Sequence, residues 1–230
     1  MNRRTRFHAL VIASALALWA GASEATLTSF ASKAAFDAAV AGMSASQTVD
    51  FEAVAPGTLF PSGTGTGGLT FTYSIAGPST LQVSNTFGTT SGTKYLGLDN
   101  PDTAFYLGDS FTIGFNRTVH AVGLYVITGS DAQAGDMELA VSGGSVANSA
   151  LPDTLASDGQ AFYLGLVESN PGLGFTSAVV HGVVSTPNAF LAFSVDDVTS
   201  AVSAVPEPGS WGLILAGLGV LSALAAYRRR

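Results

Sequence analysis

The chain has 230 residues, of which 47% are hydrophobic and only 11% charged, and its formal net charge is −7. It contains no cysteine, which excludes disulfide bonds, thiolate metal sites and a cysteine nucleophile. Its length suits one domain that buries a self-sufficient core.

The first 25 residues have the three parts of a secretory signal peptide. Three arginines lie within the first six residues, an uncharged apolar run spans 9–20, and small residues follow it. This order is typical of a signal helix that the Sec translocon handles and signal peptidase removes. Cleavage is expected after Ala25, with Ala22 as the alternative. An uncleaved membrane anchor would need a longer apolar run.

Removing both ends of the chain makes the remaining body strongly acidic. Six of the nine basic residues lie in the leader and at the C-terminus, so residues 26–204 keep three basic residues against fourteen acidic ones, a net charge of −11. Such a surface repels nucleic acid, whose binding needs a basic footprint. It suits a soluble exported protein or one that recruits divalent cations.

A short strand over 25–30 and then a helix over 33–42 open the body. Ser32 is suited to the N-cap position, and Phe36, Val40 and Met43 recur at helical spacing. After the helix the pattern is β, with apolar and polar residues alternating between turn residues. Strands are predicted over 47–51, 69–75, 80–84, 94–98, 111–116, 121–128, 137–141, 162–166, 176–182 and 191–195.

These short strands predict a mainly β fold, an antiparallel two-sheet sandwich of the jelly-roll type with one short N-terminal helix. The strand at 121–128 is apolar on both faces. It is therefore expected either to be central in its sheet or to support a binding surface.

Two acidic clusters lie near the ends of the predicted sandwich. Asp50 and Glu52 sit in the sequence TVDFE, and Asp196 and Asp197 sit in FSVDDV. This pair of strands resembles the jelly-roll carbohydrate-binding modules and galactose-binding-like domains. The resemblance implies that first and last strands lie together and that Glu52 with Asp196 or Asp197 holds a structural calcium ion, helped by loop carbonyls. Strict alternation gives a second interpretation, in which these carboxylates are solvated outward residues.

Two tyrosines are candidates for stacking on sugar. Tyr125 and Tyr163 lie on the face opposite the aliphatic positions of their strands, and each is two residues from a glycine, Gly123 or Gly165. Exposed amphipathic rings of this kind suit a ligand-binding platform. The alternative is that both rings pack under a loop or in the core.

The sequence does not favour catalysis. His120 and His181 fall in separate predicted strands without a neighbouring acid at metal-ligand spacing, and no Gly-x-Ser-x-Gly elbow occurs. A non-enzymatic protein is therefore expected.

The C-terminus carries three features in a fixed order. Val205-Pro206-Glu207-Pro208 is followed by an uncharged apolar run over 211–227 and then by Arg228-Arg229-Arg230. The prolines stop any preceding strand, the run approaches the length of a transmembrane helix, and the arginines favour the cytoplasmic side. An ordinary C-terminal anchor behind a proline linker is the alternative.

These residues resemble the PEP-CTERM sorting signal of Gram-negative bacteria, also named the ice-binding protein C-terminal domain. The resemblance implies export, transient anchoring in the inner membrane and processing by an exosortase, followed by delivery to the cell surface or medium. It divides the chain into a signal peptide (1–25), an exported sandwich (26–204) and a sorting signal (205–230). It also implies a structural or adhesive role in an exopolysaccharide matrix, with a calcium-stabilised carbohydrate-binding module as the alternative and a secreted hydrolase as a third possibility.

Overall fold

A computed structural model describes residues 27–75, 77–129, 132–156, 159–183 and 191–203. The predicted signal helix and the predicted transmembrane helix at 211–227 lie outside these ranges. Within them no helix is both long and apolar enough to cross a bilayer.

The described chain contains one α-helix, α1 (Lys33–Val40), and fifteen strands, all paired antiparallel. The strands are β1 (Leu27–Phe30), β2 (Ser44–Val49), β3 (Leu59–Phe60), β4 (Leu69–Ser74), β5 (Leu81–Ser84), β6 (Tyr95–Leu98), β7 (Phe105–Tyr106), β8 (Ser110–Val119), β9 (Ala121–Thr128), β10 (Met137–Val141), β11 (Gly144–Ala147), β12 (Thr154–Ala156), β13 (Gly159–Glu168), β14 (Phe175–Gly182) and β15 (Ala192–Val202).

The strands form two sheets. The larger sheet has the order β1-β13-β9-β15-β6-β5-β3, with β12 paired to β13 and with β2 and β7 paired to β15. The smaller sheet has the order β11-β10-β14-β8-β4. The inner faces of both sheets contribute to one apolar core, in which Phe105 of the larger sheet stacks on Phe111 of the smaller one with ring centroids 4.8 Å apart. The predicted two-sheet, mainly β fold is confirmed.

Strand β9 is the centre of the larger sheet. It lies between β13 and β15, and all eight of its residues are buried. Its inner face packs in the main core, while its outer face packs under α1. The prediction of a central strand from its two apolar faces is therefore confirmed.

Helix α1 covers the outer face of the larger sheet through Phe36 and Val40, which are both buried. Ser32 occupies the N-cap position in extended conformation, as predicted, but its side chain makes no capping hydrogen bond. The backbone N–H of Lys33 instead donates to the Asp153 carboxylate at 3.1 Å. A distant residue therefore satisfies the first orphan donor of the helix.

Candidate functional site

The predicted acidic clusters meet at one loop, formed by residues 89–94 between β5 and β6. Strand β15 pairs with β9 along one edge and with β7, β6 and β2 in turn along the other. Glu52, which follows β2, and the Asp196–Asp197 pair of β15 are therefore brought to the same loop. The pairing of an early strand with the last strand, which the resemblance implied, is present in the structure.

The Asp196 carboxylate is fully buried and holds the start of this loop. Its Oδ2 accepts hydrogen bonds from the Thr90 N–H at 3.2 Å, the Thr90 hydroxyl at 3.0 Å and the Ser91 N–H at 3.2 Å. Asp197 Oδ1 accepts from the Ser91 hydroxyl at 2.7 Å. The two carboxylates thus bind the same pair of loop residues.

A bulge in β15 allows the adjacent residues Asp196 and Asp197 both to bind the 89–94 loop. Consecutive side chains of a regular strand point to opposite faces. Asp197 has φ +52°, and the register of β15 against β9 shifts between Asp196 and Thr199. Because a left-handed residue turns the strand locally, both carboxylates reach the loop, and Asp is among the residues that tolerate this conformation.

The electrostatics of the pair favour uptake of a proton. Burial, and next the neighbouring Asp197 charge, raise the pKa of Asp196 to about 7, although the hydrogen bonds from Asp197, Thr90 and Ser91 act in the opposite direction. Asp196 therefore changes its charge near neutral pH.

Glu52 holds the other end of the loop. Its Oε1 accepts from the backbone N–H of Thr93 at 2.7 Å and of Lys94 at 2.6 Å, and the Lys94 ammonium donates to the Glu52 carbonyl. Gly92 has φ +56°, and a Cβ there would collide with the Glu52 carboxylate. Only glycine lets the loop approach so closely.

This geometry gives the carboxylates hydrogen-bond donors rather than a shared cation. The N–H, hydroxyl and ammonium groups of the loop point at the oxygens that calcium would need as ligands. In the described ranges no three His, Asp or Glu side chains are grouped closely enough to hold a metal ion. Calcium binding by Glu52, Asp196 and Asp197 has no preformed ligand set in the described ranges, and it stays an untested hypothesis of the resemblance.

The tyrosines do not form an exposed platform. Tyr125 is buried and Tyr163 is only 1% exposed, and their rings contact each other edge to face at 5.1 Å beneath α1. The burial of both rings contradicts the sugar-stacking hypothesis for these two residues. The rings pack in the core, as the alternative interpretation held. The Tyr125 hydroxyl donates to Asp153 at 2.9 Å, whereas the buried Tyr163 hydroxyl has no hydrogen-bond partner among the described residues.

The glycines near the tyrosines explain this packing. A Cβ at Gly123 would collide with the Tyr163 hydroxyl, and one at Gly165 would come within 2.7 Å of the Phe36 ring. The two glycines make a depression that the Phe36 and Tyr163 rings fill. Burial is the largest cause that raises the pKa of both tyrosines above its ordinary value.

The histidines lie far apart in the fold and have different surroundings. His120 accepts from the Ser203 N–H through Nδ1 at 3.2 Å, and its Nε2 lies 3.2 Å from the Pro171 carbonyl. His181 pairs with Glu138 at 3.1 Å on the outer face of the smaller sheet, where Ser110 is its cross-strand neighbour. No hydrogen bond joins Ser110 to His181 among the described residues.

Sequence reasoning missed the loop residues that bind the carboxylates. Thr90, Ser91 and Lys94 lie in a polar stretch, GTTSGTK, that reads as an ordinary connection. The available signal was Gly92, because a glycine inside a short loop often marks a left-handed residue or a close approach.

The last described residue, Ser203, lies next to His120, where the chain leaves the sandwich. The His120 carbonyl accepts from the Glu168 N–H, and Glu168 pairs with Leu27 at the start of β1. Both ends of the described chain therefore lie at one end of the larger sheet.

Comparison with known families identifies the segment beyond this exit. A family model described as the PEP-CTERM protein-sorting motif matches residues 204–230. This confirms the PEP-CTERM sorting motif at the C-terminus. The individual sorting roles of Val205, Pro206, Glu207, Pro208, Arg228, Arg229 and Arg230 stay predictions. No curated protein matches the chain. The motif implies an exported protein that is anchored transiently in the membrane and processed by an exosortase.

Proposed function

We propose that the exported sandwich works without catalysis, as a structural or adhesive component of an exopolysaccharide matrix. The sorting motif supplies export and processing. The observation that supports a matrix role is the outer face of the smaller sheet.

This outer face, here named the hydroxyl face, carries short hydroxyl side chains in register. The outward residues of β4, β8 and β14 alternate with buried residues of the core. Thr72 lies opposite Thr112, and Ser74 lies opposite Ser110. The members are Thr70, Thr72, Ser74, Ser110, Thr112 and Ser177.

The chemistry of the hydroxyl face suits a neutral polymer that is itself covered with hydroxyls. Neighbouring strands are about 4.8 Å apart and same-face residues about 6.7 Å apart along a strand, so the hydroxyls recur at regular spacing. Gly114 and Val179 interrupt them in two of the cross-strand rows. A hydroxyl can donate and accept, which allows bonds to many orientations of a sugar ring. These six residues also carry no charge that association would have to desolvate.

The histidines support a non-catalytic role. The His120 ring is hydrogen-bonded between the exit of the chain and the Pro171 loop. His181 is 32% exposed on an open sheet face, paired with Glu138. A general base needs a substrate held within hydrogen-bond reach.

The test uses a deletion strain of the producing bacterium. It is complemented with the wild-type gene, with His181→Ala, or with Thr72→Lys combined with Thr112→Lys. We expect the deletion to reduce the protein-dependent cohesion of the matrix, His181→Ala to restore it, and the double lysine variant to fail although it is exported and processed. An unchanged matrix in the deletion strain would contradict the proposal. Failure of an exported His181→Ala protein would favour an enzyme.

A further inference from the structure

A cavity of about 280 Å³ lies on the outer face of the larger sheet. Ile127 of β9 and Ser194 of β15 contribute to its lining from the sheet. Phe87, from the β5–β6 connection, and Asp102, from the loop that precedes β7, line it from above the sheet. It is separate from the contacts of Asp196 and Asp197 with the 89–94 loop.

Phe87 gives the cavity an apolar wall. Its side chain is 48% exposed, which makes it one of the few large apolar side chains on the described surface. Its ring stacks on Tyr95 with centroids 6.5 Å apart and planes 25° apart. The ring is therefore supported by the protein while half of it stays available for contact.

Two polar groups face the same space. Asp102 accepts a hydrogen bond from the Tyr106 hydroxyl at Oδ2, and its Oδ1 has no hydrogen-bond partner in the described chain. Ser194 is 6% exposed, lines the cavity, and its hydroxyl has no hydrogen-bond partner among the described residues. An acceptor and a hydroxyl are thus left for a ligand.

The loop that carries Asp102 is held rigidly. The Asn100 side chain donates to the Ala104 carbonyl at 2.8 Å and accepts from the Ala104 N–H at 3.2 Å. Thr103 has φ +48°, and its hydroxyl bonds the Tyr95 hydroxyl at 2.6 Å. Left-handed conformations in non-glycine residues are uncommon and are kept where the surrounding structure fixes them. A fixed wall lowers the entropy lost when a ligand binds.

We propose that this cavity, the Phe87 cavity, binds one neutral pyranose unit of a polysaccharide. Its volume suits a single sugar ring. The apolar face of the ring would contact Phe87, and ring hydroxyls would bond Asp102 and Ser194. The described lining of the cavity contains no lysine or arginine, and Asp102 and the acidic body repel uronic acids and phosphorylated sugars.

This inference deepens the proposed function, on which it rests for the source of the sugar, and it assigns the adhesive contact to the Phe87 cavity in addition to the hydroxyl face. The two surfaces belong to different sheets. Each can therefore be altered without touching the other.

The experiment titrates the exported, processed protein with methyl glycosides of glucose, galactose, mannose and rhamnose, and with methyl glucuronide as the charged comparison. Binding is followed by calorimetry and by amide chemical shifts. We expect at least one neutral glycoside to bind with millimolar affinity, with shifts at Ile127 and Ser194, and the glucuronide to bind more weakly.

Two variants and a matched control locate the contact. Phe87→Ala and Asp102→Asn should each weaken the binding about tenfold, which corresponds to about 1.4 kcal/mol. Leu151→Ala removes another exposed apolar side chain, one that does not line the cavity, and should change nothing. Melting curves check that all three variants fold.

The outcomes separate this inference from the proposed function. No saturable binding of any neutral glycoside, or binding that both cavity variants retain, overturns the cavity assignment. If the protein binds no neutral glycoside but still co-sediments with the purified exopolysaccharide of its bacterium, the matrix role stands and the contact lies elsewhere. If the protein neither binds a glycoside nor co-sediments with the exopolysaccharide, both proposals are wrong.

Discussion

Asp196 Oδ2 accepts hydrogen bonds from both the N–H and the hydroxyl of Thr90, a residue 106 positions earlier in the chain. The last strand of the sandwich thereby fixes the loop between β5 and β6. Since Asp196 is buried beside Asp197, this contact also makes the stability of the fold sensitive to pH.

The stability contributed by Asp196 should fall as the pH rises. Its pKa is raised in the folded state to about 7 from 3.8. The folded protein therefore holds the proton more tightly than the unfolded chain, and this contribution is complete below pH 3.8 and lost as the pH passes through about 7. The slope is at most about 1.4 kcal/mol per pH unit.

Urea denaturation between pH 4 and 8 measures this dependence. Asp196→Asn cannot titrate, so its free energy of unfolding should lose that slope even if its overall level drops. Asp37→Asn, which alters an exposed helix carboxylate, is the control and should keep the wild-type slope. Equal slopes in wild type and Asp196→Asn would rule out a raised pKa at Asp196.

Calcium should not stabilise the exported body. The oxygens of Glu52, Asp196 and Asp197 already accept hydrogen bonds from the 89–94 loop. We expect the melting temperature to be the same in EDTA and in millimolar calcium, because a ligand that binds the folded state would raise it. A calcium-dependent rise that Glu52→Gln abolishes would show that a metal site forms at this loop.

The two tyrosines should respond differently to loss of their hydroxyls. Tyr163→Phe removes a buried hydroxyl that has no partner in the described chain, so the free energy of unfolding should stay equal or rise by up to about 1 kcal/mol. Tyr125→Phe removes the donor to Asp153 and should lower it by about 1 kcal/mol. Denaturant titration compares the two. If both variants lose the same stability, the Tyr163 hydroxyl does have a partner.

The sorting motif should be needed for release from the membrane. Only seven residues, 204–210, separate Ser203 from the apolar run, a reach of about 25 Å at full extension. Replacing Pro206, Glu207 and Pro208 with alanine should leave full-length protein in the inner-membrane fraction. Ser203→Ala is the control, because the hydrogen bond to His120 uses the backbone N–H. Normal processing of the triple variant would contradict the sorting assignment.

Much of the fold follows from local pattern in the sequence. Alternation located most strands, and the two apolar faces of β9 predicted its central position. The pairing of β15 with β2, β6, β7 and β9 could not be predicted by alternation, because it depends on contacts between distant segments. The bulge at Asp197 was equally hidden, since Asp-Asp in a strand reads as one inward and one outward residue.

The tyrosines show why site prediction was harder than strand prediction. A glycine two residues from Tyr125 or Tyr163 is compatible with an exposed ring over a flat surface and with a buried ring in a depression. The deciding residue is Phe36, whose ring fills the depression from a helix 87 positions before Gly123. The role of Phe87 could not be predicted from hydrophobic periodicity, because this residue lies in the irregular connection between β5 and β6.

The most direct test of a non-catalytic matrix role is co-sedimentation of the exported, processed protein with the purified exopolysaccharide of its own bacterium, with reducing ends measured in the same samples. We predict saturable co-sedimentation without any increase in reducing ends over the protein-free control. It should weaken in Thr72→Lys combined with Thr112→Lys and persist in His181→Ala. Protein that stays in the supernatant, or an increase in reducing ends that His181→Ala abolishes, would contradict this account.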